Sequence, residues 1–117
     1  MLIGKGFPNH ILTNDEVQEI VHESLNTLPV DGKRVLILIP DRTRTMPMPR
    51  MFGLFKRMLG PRVAVLDYLV ALGTHRQMTD AELGKLVGQS VVNGKSGLSH
   101  IFKCFSFVLG ITFYRFN

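Results

Sequence analysis

Arg34-Val35-Leu36-Ile37-Leu38-Ile39-Pro40-Asp41-Arg42-Thr43-Arg44-Thr45-Met46-Pro47-Met48-Pro49-Arg50 is the stretch on which the fold turns. From Arg34 to Ile39 the chain is a continuous aliphatic and β-branched run, the pattern of a strand buried on both faces. Pro40 closes that strand. Beyond the polar residues, Met48, Met51, Phe52, Phe55, Met58 and Leu59 recur at helical spacing. Pro49 falls in the first turn, where a missing N–H costs nothing. Strand, polar loop, helix is the order in which open α/β sheets present ligand-binding groups, because loops at the carboxyl ends of parallel strands converge on one crevice. Asp41 and Arg44 would lie in that crevice.

Upstream, residues 1 to 14 carry Gly4, Gly6, Pro8 and Asn9 around short apolar pairs and read as a short strand or extended arm. Thr13 and Glu16 make a capping-box pattern, and Val17, Ile20, Val21, Leu25 and Leu28 follow on one helical face. The spacing predicts a helix from Asp15 to Leu28, closed by Pro29 and the turn residues Asp31-Gly32. Downstream, Gly60-Pro61 ends the second helix, and Arg62 to Leu72 reads as a second strand. That strand is apolar except at Asp67-Tyr68, a bulge or a slightly exposed turn of the strand.

Gly73-Thr74-His75-Arg76 then repeats the arrangement of the first loop: an apolar strand ends, polar residues cluster, and a helix starts. Thr79 and Glu82 form a second capping box ahead of Leu83, Leu86 and Val87. If the two strands are parallel neighbours joined by a right-handed helical crossover, both clusters open at one sheet edge and His75 faces Asp41 and Arg44. Arg44 or Arg76 could hold a carboxylate or phosphate bidentately. The imidazole of His75 can take or give a proton. Asp41 could orient either an Arg or a His. The same residues also allow a plain surface turn at Asp41 and Thr43, and the Met and Phe stripe reads as core packing.

Composition bounds what this crevice could serve. The chain has 117 residues, 45% of them hydrophobic, enough for one domain with a core of its own. Net charge is +5, yet all nine acidic residues lie at or before Glu82, so the basic excess comes from an acid-free end rather than a basic patch. That argues against a nucleic-acid partner. The single Cys104 permits no internal disulfide and fits no metal spacing, which makes a reducing cytoplasm the expected compartment. No window reaches the roughly 18 apolar residues of a membrane span, and no signal peptide is visible.

The two polar clusters, Asp41-Arg42-Thr43-Arg44 after a strand and Gly73-Thr74-His75-Arg76 about thirty residues later with Met78-Thr79-Asp80-Ala81-Glu82 beyond, resemble the N-terminal domain of the nickel-pincer lactate racemase family. The resemblance runs from about Phe7 to His100. It implies a Rossmann-like α/β fold, a parallel sheet with flanking helices, present here as an incomplete domain. In that family both motifs line the active site. The resemblance therefore implies that His75 is catalytic, one of two histidines that exchange the substrate proton, and that Asp41, Thr43, Arg44, Thr74 and Arg76 bind substrate or cofactor. It further implies a small 2-hydroxy acid as substrate and the nickel-pincer nucleotide as cofactor of the full-length proteins. There, hydride passes transiently from the substrate Cα to the cofactor while a histidine removes the hydroxyl proton.

Thr45 and Gln77 stand where many relatives carry Pro. The second catalytic histidine, the cofactor-bearing lysine and the nickel-ligating histidine find no counterpart, so this fragment is expected to bind no cofactor or metal and to be inactive alone. The reading divides the chain into a racemase-like domain, residues 1–100, and an apolar tail, residues 101–117, which holds five of the eight Phe residues. A truncated or frame-shifted product is the expectation for that tail, with self-association if it is uncovered. A non-enzymatic module that binds an anion or docks on a partner is the alternative.

Overall fold

The computed structural model describes residues 2–103 in full and, of the remainder, the backbone of residues 104, 106, 107, 110 and 111. Three helices, α1 (Asn14–Asn26), α2 (Met48–Leu59) and α3 (Asp80–Val87), alternate with the strands β1 (Arg34–Pro40), β2 (Val65–Ala71), β3 (Lys95–Ser96) and β4 (Ser99–Cys104). These four strands make one sheet in the order β1-β2-β4-β3. β1, β2 and β4 are parallel, and β3 returns antiparallel to β4 through a tight hairpin. The backbone pairs β5 (Ser106–Phe107) and β6 (Gly110–Ile111) form a separate antiparallel ladder. Expectations about the apolar tail otherwise lie outside the described residues. Among the described residues no helix is long and apolar enough to cross a membrane.

Each helix starts where its chemistry dictates. Thr13 accepts from Glu16 N while the Glu16 carboxylate accepts from Thr13 N at 2.7 Å, and Thr79 and Glu82 repeat the exchange at α3. These reciprocal bonds satisfy orphan N–H groups of the first turn. At α2 the residue before the helix is Pro47, and no side chain caps it. Among its described residues the N-terminal segment forms no regular strand, only an isolated bridge between Phe7 and His10.

One core lies between the helices and a single face of the sheet. It takes alternate residues from each strand, Ile39 of β1, Leu66, Tyr68 and Val70 of β2 and Ile101 of β4, and packs them against Leu25, Phe52, Leu59, Leu83 and Val87. The other face carries Leu36 and Leu38, 49% and 68% exposed. This corrects the expectation that β1 is buried on both faces. A continuous aliphatic run does not distinguish a central strand from an edge strand with one uncovered face, because both satisfy β propensity. Asp67-Tyr68 also differs from expectation. The β1–β2 register runs unbroken from Arg34↔Val65 to Pro40↔Ala71, so there is no bulge, and both residues are buried. Asp67 is held by the His100 N–H at 2.8 Å, and Tyr68 packs its ring on Phe52 at a centroid distance of 4.5 Å. The Tyr68 hydroxyl has no partner among the described residues, and burial pushes its pKa up.

The join between α2 and α3 depends on one glycine. Gly88 caps α3 at φ 71°, and a Cβ there would come within 2.6 Å of Pro49 Cβ. Gly88→Ala is therefore expected to destabilise the fold by about 1–3 kcal/mol, from left-handed strain and displacement of α2 together. Urea unfolding measures it. An unchanged midpoint would show that the α2–α3 contact yields freely.

Candidate functional site

Parallel pairing of β1 with β2 sets Pro40 opposite Ala71, so the two polar loops leave the sheet side by side. Each loop is shaped locally. Arg44 N donates to Asp41 O at 3.3 Å, and Thr43 N donates to Asp41 Oδ1 at 3.0 Å, an Asx turn. In the second loop His75 N donates to Leu72 O at 3.0 Å across a turn in which Gly73 takes φ 59°. Leu72 and Met78 are buried at either end of that loop. Lys103 reaches from β4 to donate to the Met78 carbonyl at 2.7 Å, so a third strand also fixes the loop.

The loops meet at Asp41 and His75. Asp41 is 5% exposed, with Oδ1 accepting from the Thr43 hydroxyl at 2.6 Å and Oδ2 lying 2.5 Å from His75 Nδ1. The Thr43 hydroxyl bond first, and then the His75 bond, hold the Asp41 carboxyl down to about 2 against the opposing effect of burial. The carboxylate is thus ionised at neutral pH and can only accept. Nδ1 must then carry the proton, which in the neutral ring leaves Nε2 with its lone pair free to act as a base. Asp41, Arg42, Thr43, Leu72, His75, Arg76 and Met78 enclose a cavity of about 130 Å³.

A second network locks the rim. Arg76 donates to both oxygens of Glu82, at 3.1 and 2.5 Å, and Arg42 donates to Glu82 Oε1 at 3.4 Å. Arg76 above all, and then the Thr79 N–H, depress the Glu82 carboxyl to about 2. Arg76 is thereby committed to Glu82. Sequence reasoning read Glu82 only as a helix cap. Its spacing from Arg76 was visible, but its link to Arg42, forty positions away, was not.

Arg44 lies elsewhere. It lines an adjoining groove of about 370 Å³ with Arg42, Glu82, Lys85 and the Met46 to Pro49 entry of α2, outside the small cavity that holds His75. Lys85 in this groove went unnoticed in the sequence, having no motif around it. Thr74 sits exposed in the turn and lines neither space. Among the described residues no three His, Cys, Asp or Glu side chains converge into a donor set of the kind a nickel ion takes.

The depressed carboxyl sets an acid limit. Folding lowers the Asp41 pKa from 3.8 to about 2. Its contribution to stability is therefore complete above the unfolded value and lost as the pH falls through the folded one. Stability is expected to drop between about pH 4 and pH 2, and Asp41→Asn should flatten part of that drop. Chemical unfolding repeated across this window tests both, and an identical profile in the variant would discard the assignment.

The lactate racemase N-terminal domain family matches residues 9–105. Among solved structures, a protein from Thermotoga maritima superposes with a TM-score of 0.62 at 23% identity, over 85% of this chain and 22% of that one. At this identity the likeness speaks for the fold alone, and this chain spans about a fifth of the length of that protein. No curated protein matches. The family match covers both polar loops and all three helices, and the chain belongs to the lactate racemase N-terminal domain family.

Proposed function

We propose that this chain carries the proton-transfer half of a 2-hydroxyacid racemase site, with His75 as the acid–base group. The observation that carries the reading is the bond between Asp41 and His75, which joins two loops 34 positions apart and leaves Nε2 as the acceptor. In this reading the substrate hydroxyl gives its proton to His75 Nε2 and recovers it after the configuration at Cα is reset. Asp41 holds the ring and favours its charged form while the proton resides there. Thr43 keeps Asp41 ionised, and Arg42 with the Arg76–Glu82 pair frames the opening. The hydride half belongs to the nickel-pincer nucleotide of full-length relatives. Among the described residues no group of three metal-binding side chains accompanies His75, and in this reading the fragment supplies only the proton-transfer half.

The test is chiral analysis of lactate incubated with a full-length member carrying these two motifs, beside the O-methyl ether of the same acid. Interconversion of lactate with none of the ether is the expected result, since the ether has no proton to give His75. Absence of interconversion with every 2-hydroxy acid would reject the reading. A second reading is favoured by the groove that Arg42, Arg44 and Lys85 share: a module that holds an anion without chemistry. Calorimetry separates the two. Binding of lactate or phosphate lost in Arg44→Ala but unaffected by His75→Ala supports the module.

A further inference from the structure

At the opposite end of the sheet, the start of β2, the Gly60-Pro61 turn and the β3–β4 hairpin surround a groove of about 600 Å³, a size typical of small-molecule sites. Its walls include Pro61, Val63 and Leu66, with Lys56, Ser96 and Ser99 beside them. Two observations distinguish it from an apolar crease. Ser96, 4% exposed as a residue, lines the groove, and its hydroxyl makes no side-chain hydrogen bond among the described residues. That hydroxyl is not among the fully enclosed polar groups, so it stays open to the groove and free to donate to an acceptor there. Lys56, in the last turn of α2, donates to Gln89 Oε1 at 2.9 Å and lies 4.0 Å from where a Cβ on Gly97 would stand. An ammonium has three donors, so others remain for a ligand over the hairpin.

We propose that this groove is a ligand site for a small amphipathic carboxylate. The apolar chain lies along Pro61, Val63 and Leu66, and the carboxylate accepts from Lys56 Nζ and the Ser96 hydroxyl. The ammonium selects an anion, while the apolar walls reject fully hydrated ones such as inorganic phosphate. The site is separate from the His75 loops, which leave the other end of the strands, and it does not depend on the racemase reading.

The experiment is a titration of the 117-residue chain with octanoate, followed through backbone amide NMR shifts. Saturable shifts at Val65, Ser96 and Gly97 are expected, with none from inorganic phosphate and only weak ones from methyl octanoate. Lys56→Met, which retains helix propensity, should weaken binding by at least about tenfold, the effect of removing one charge-assisted bond. Ser96→Ala, which removes a hydroxyl that holds nothing in the free protein, should weaken it without lowering Tm. Shifts centred on Leu36 and Leu38, equal affinity in Lys56→Met, or no saturable shift would each overturn the proposal. The first of these would reassign the binding to the uncovered sheet face.

Discussion

His75→Ala in a full-length member of the family is expected to slow interconversion of 2-hydroxy acid enantiomers by about 10²- to 10⁴-fold, the range for loss of a positioned acid–base group. The fold should survive, because the ring is half exposed and is not a member of the core cluster. Far-UV circular dichroism and the unfolding midpoint provide that control. Asp41→Asn is a finer probe of the same arrangement. An amide can donate to Nδ1, which would let the ring settle with its proton on Nε2, the tautomer that cannot take a proton from the substrate. It should therefore lower kcat more than it raises KM, and move the acid limb of the pH profile. If His75→Ala retained turnover, the base would lie elsewhere. If Asp41→Asn left both kcat and pH profile unchanged, Asp41 would serve only the Asx turn.

Phe52→Ala is expected to cost about 3–5 kcal/mol, the range for emptying a buried aromatic site. Phe52 is 1% exposed, sits in the core cluster, and packs its ring on Tyr68, whose hydroxyl is already buried without a partner among the described residues. Removing the ring leaves a cavity beneath the central strand and deprives Tyr68 of the contact that offsets its desolvation. For a domain whose whole stability is of order 5–15 kcal/mol, such a loss leaves little margin. Urea denaturation measures it. A loss below about 1 kcal/mol would mean that α2 closes onto the sheet and fills the space.

Helix positions were readable because their signals are local. Thr13 with Glu16 and Thr79 with Glu82 are bonds between residues three apart, and the capping boxes stand where the pattern placed them. Helix α1 ends at Asn26 rather than Leu28, since Thr27 N already bonds back to Ser24 O and starts the turn. The parallel pairing of β1 and β2 followed from two strand-loop-helix units in succession. What escaped was every relation that depends on which sheet face or which edge a residue meets. Leu36 and Leu38 looked like core, yet nothing in the described chain covers them. Asp67 looked like an interruption and is a buried acceptor for the start of β4.

The site divides the same way. Residue types and their order marked Asp41, Arg44, His75 and Arg76 as chemistry-bearing, because polar groups after an apolar strand sit at a sheet edge whatever the rest of the chain does. Only the tertiary structure decided the partners. His75 bonds Asp41, which parallel pairing had implied, but Arg44 turns into the neighbouring groove with Lys85, Glu82 takes Arg76 and Arg42, and Lys103 takes the Met78 carbonyl. The physical reason is range: caps, turns and periodicity act over three or four residues and are written in the chain, whereas the Lys103–Met78, Asp41–His75 and Arg42–Glu82 contacts close loops of 25 to 40 residues and exist only once β1, β2 and β4 are in register.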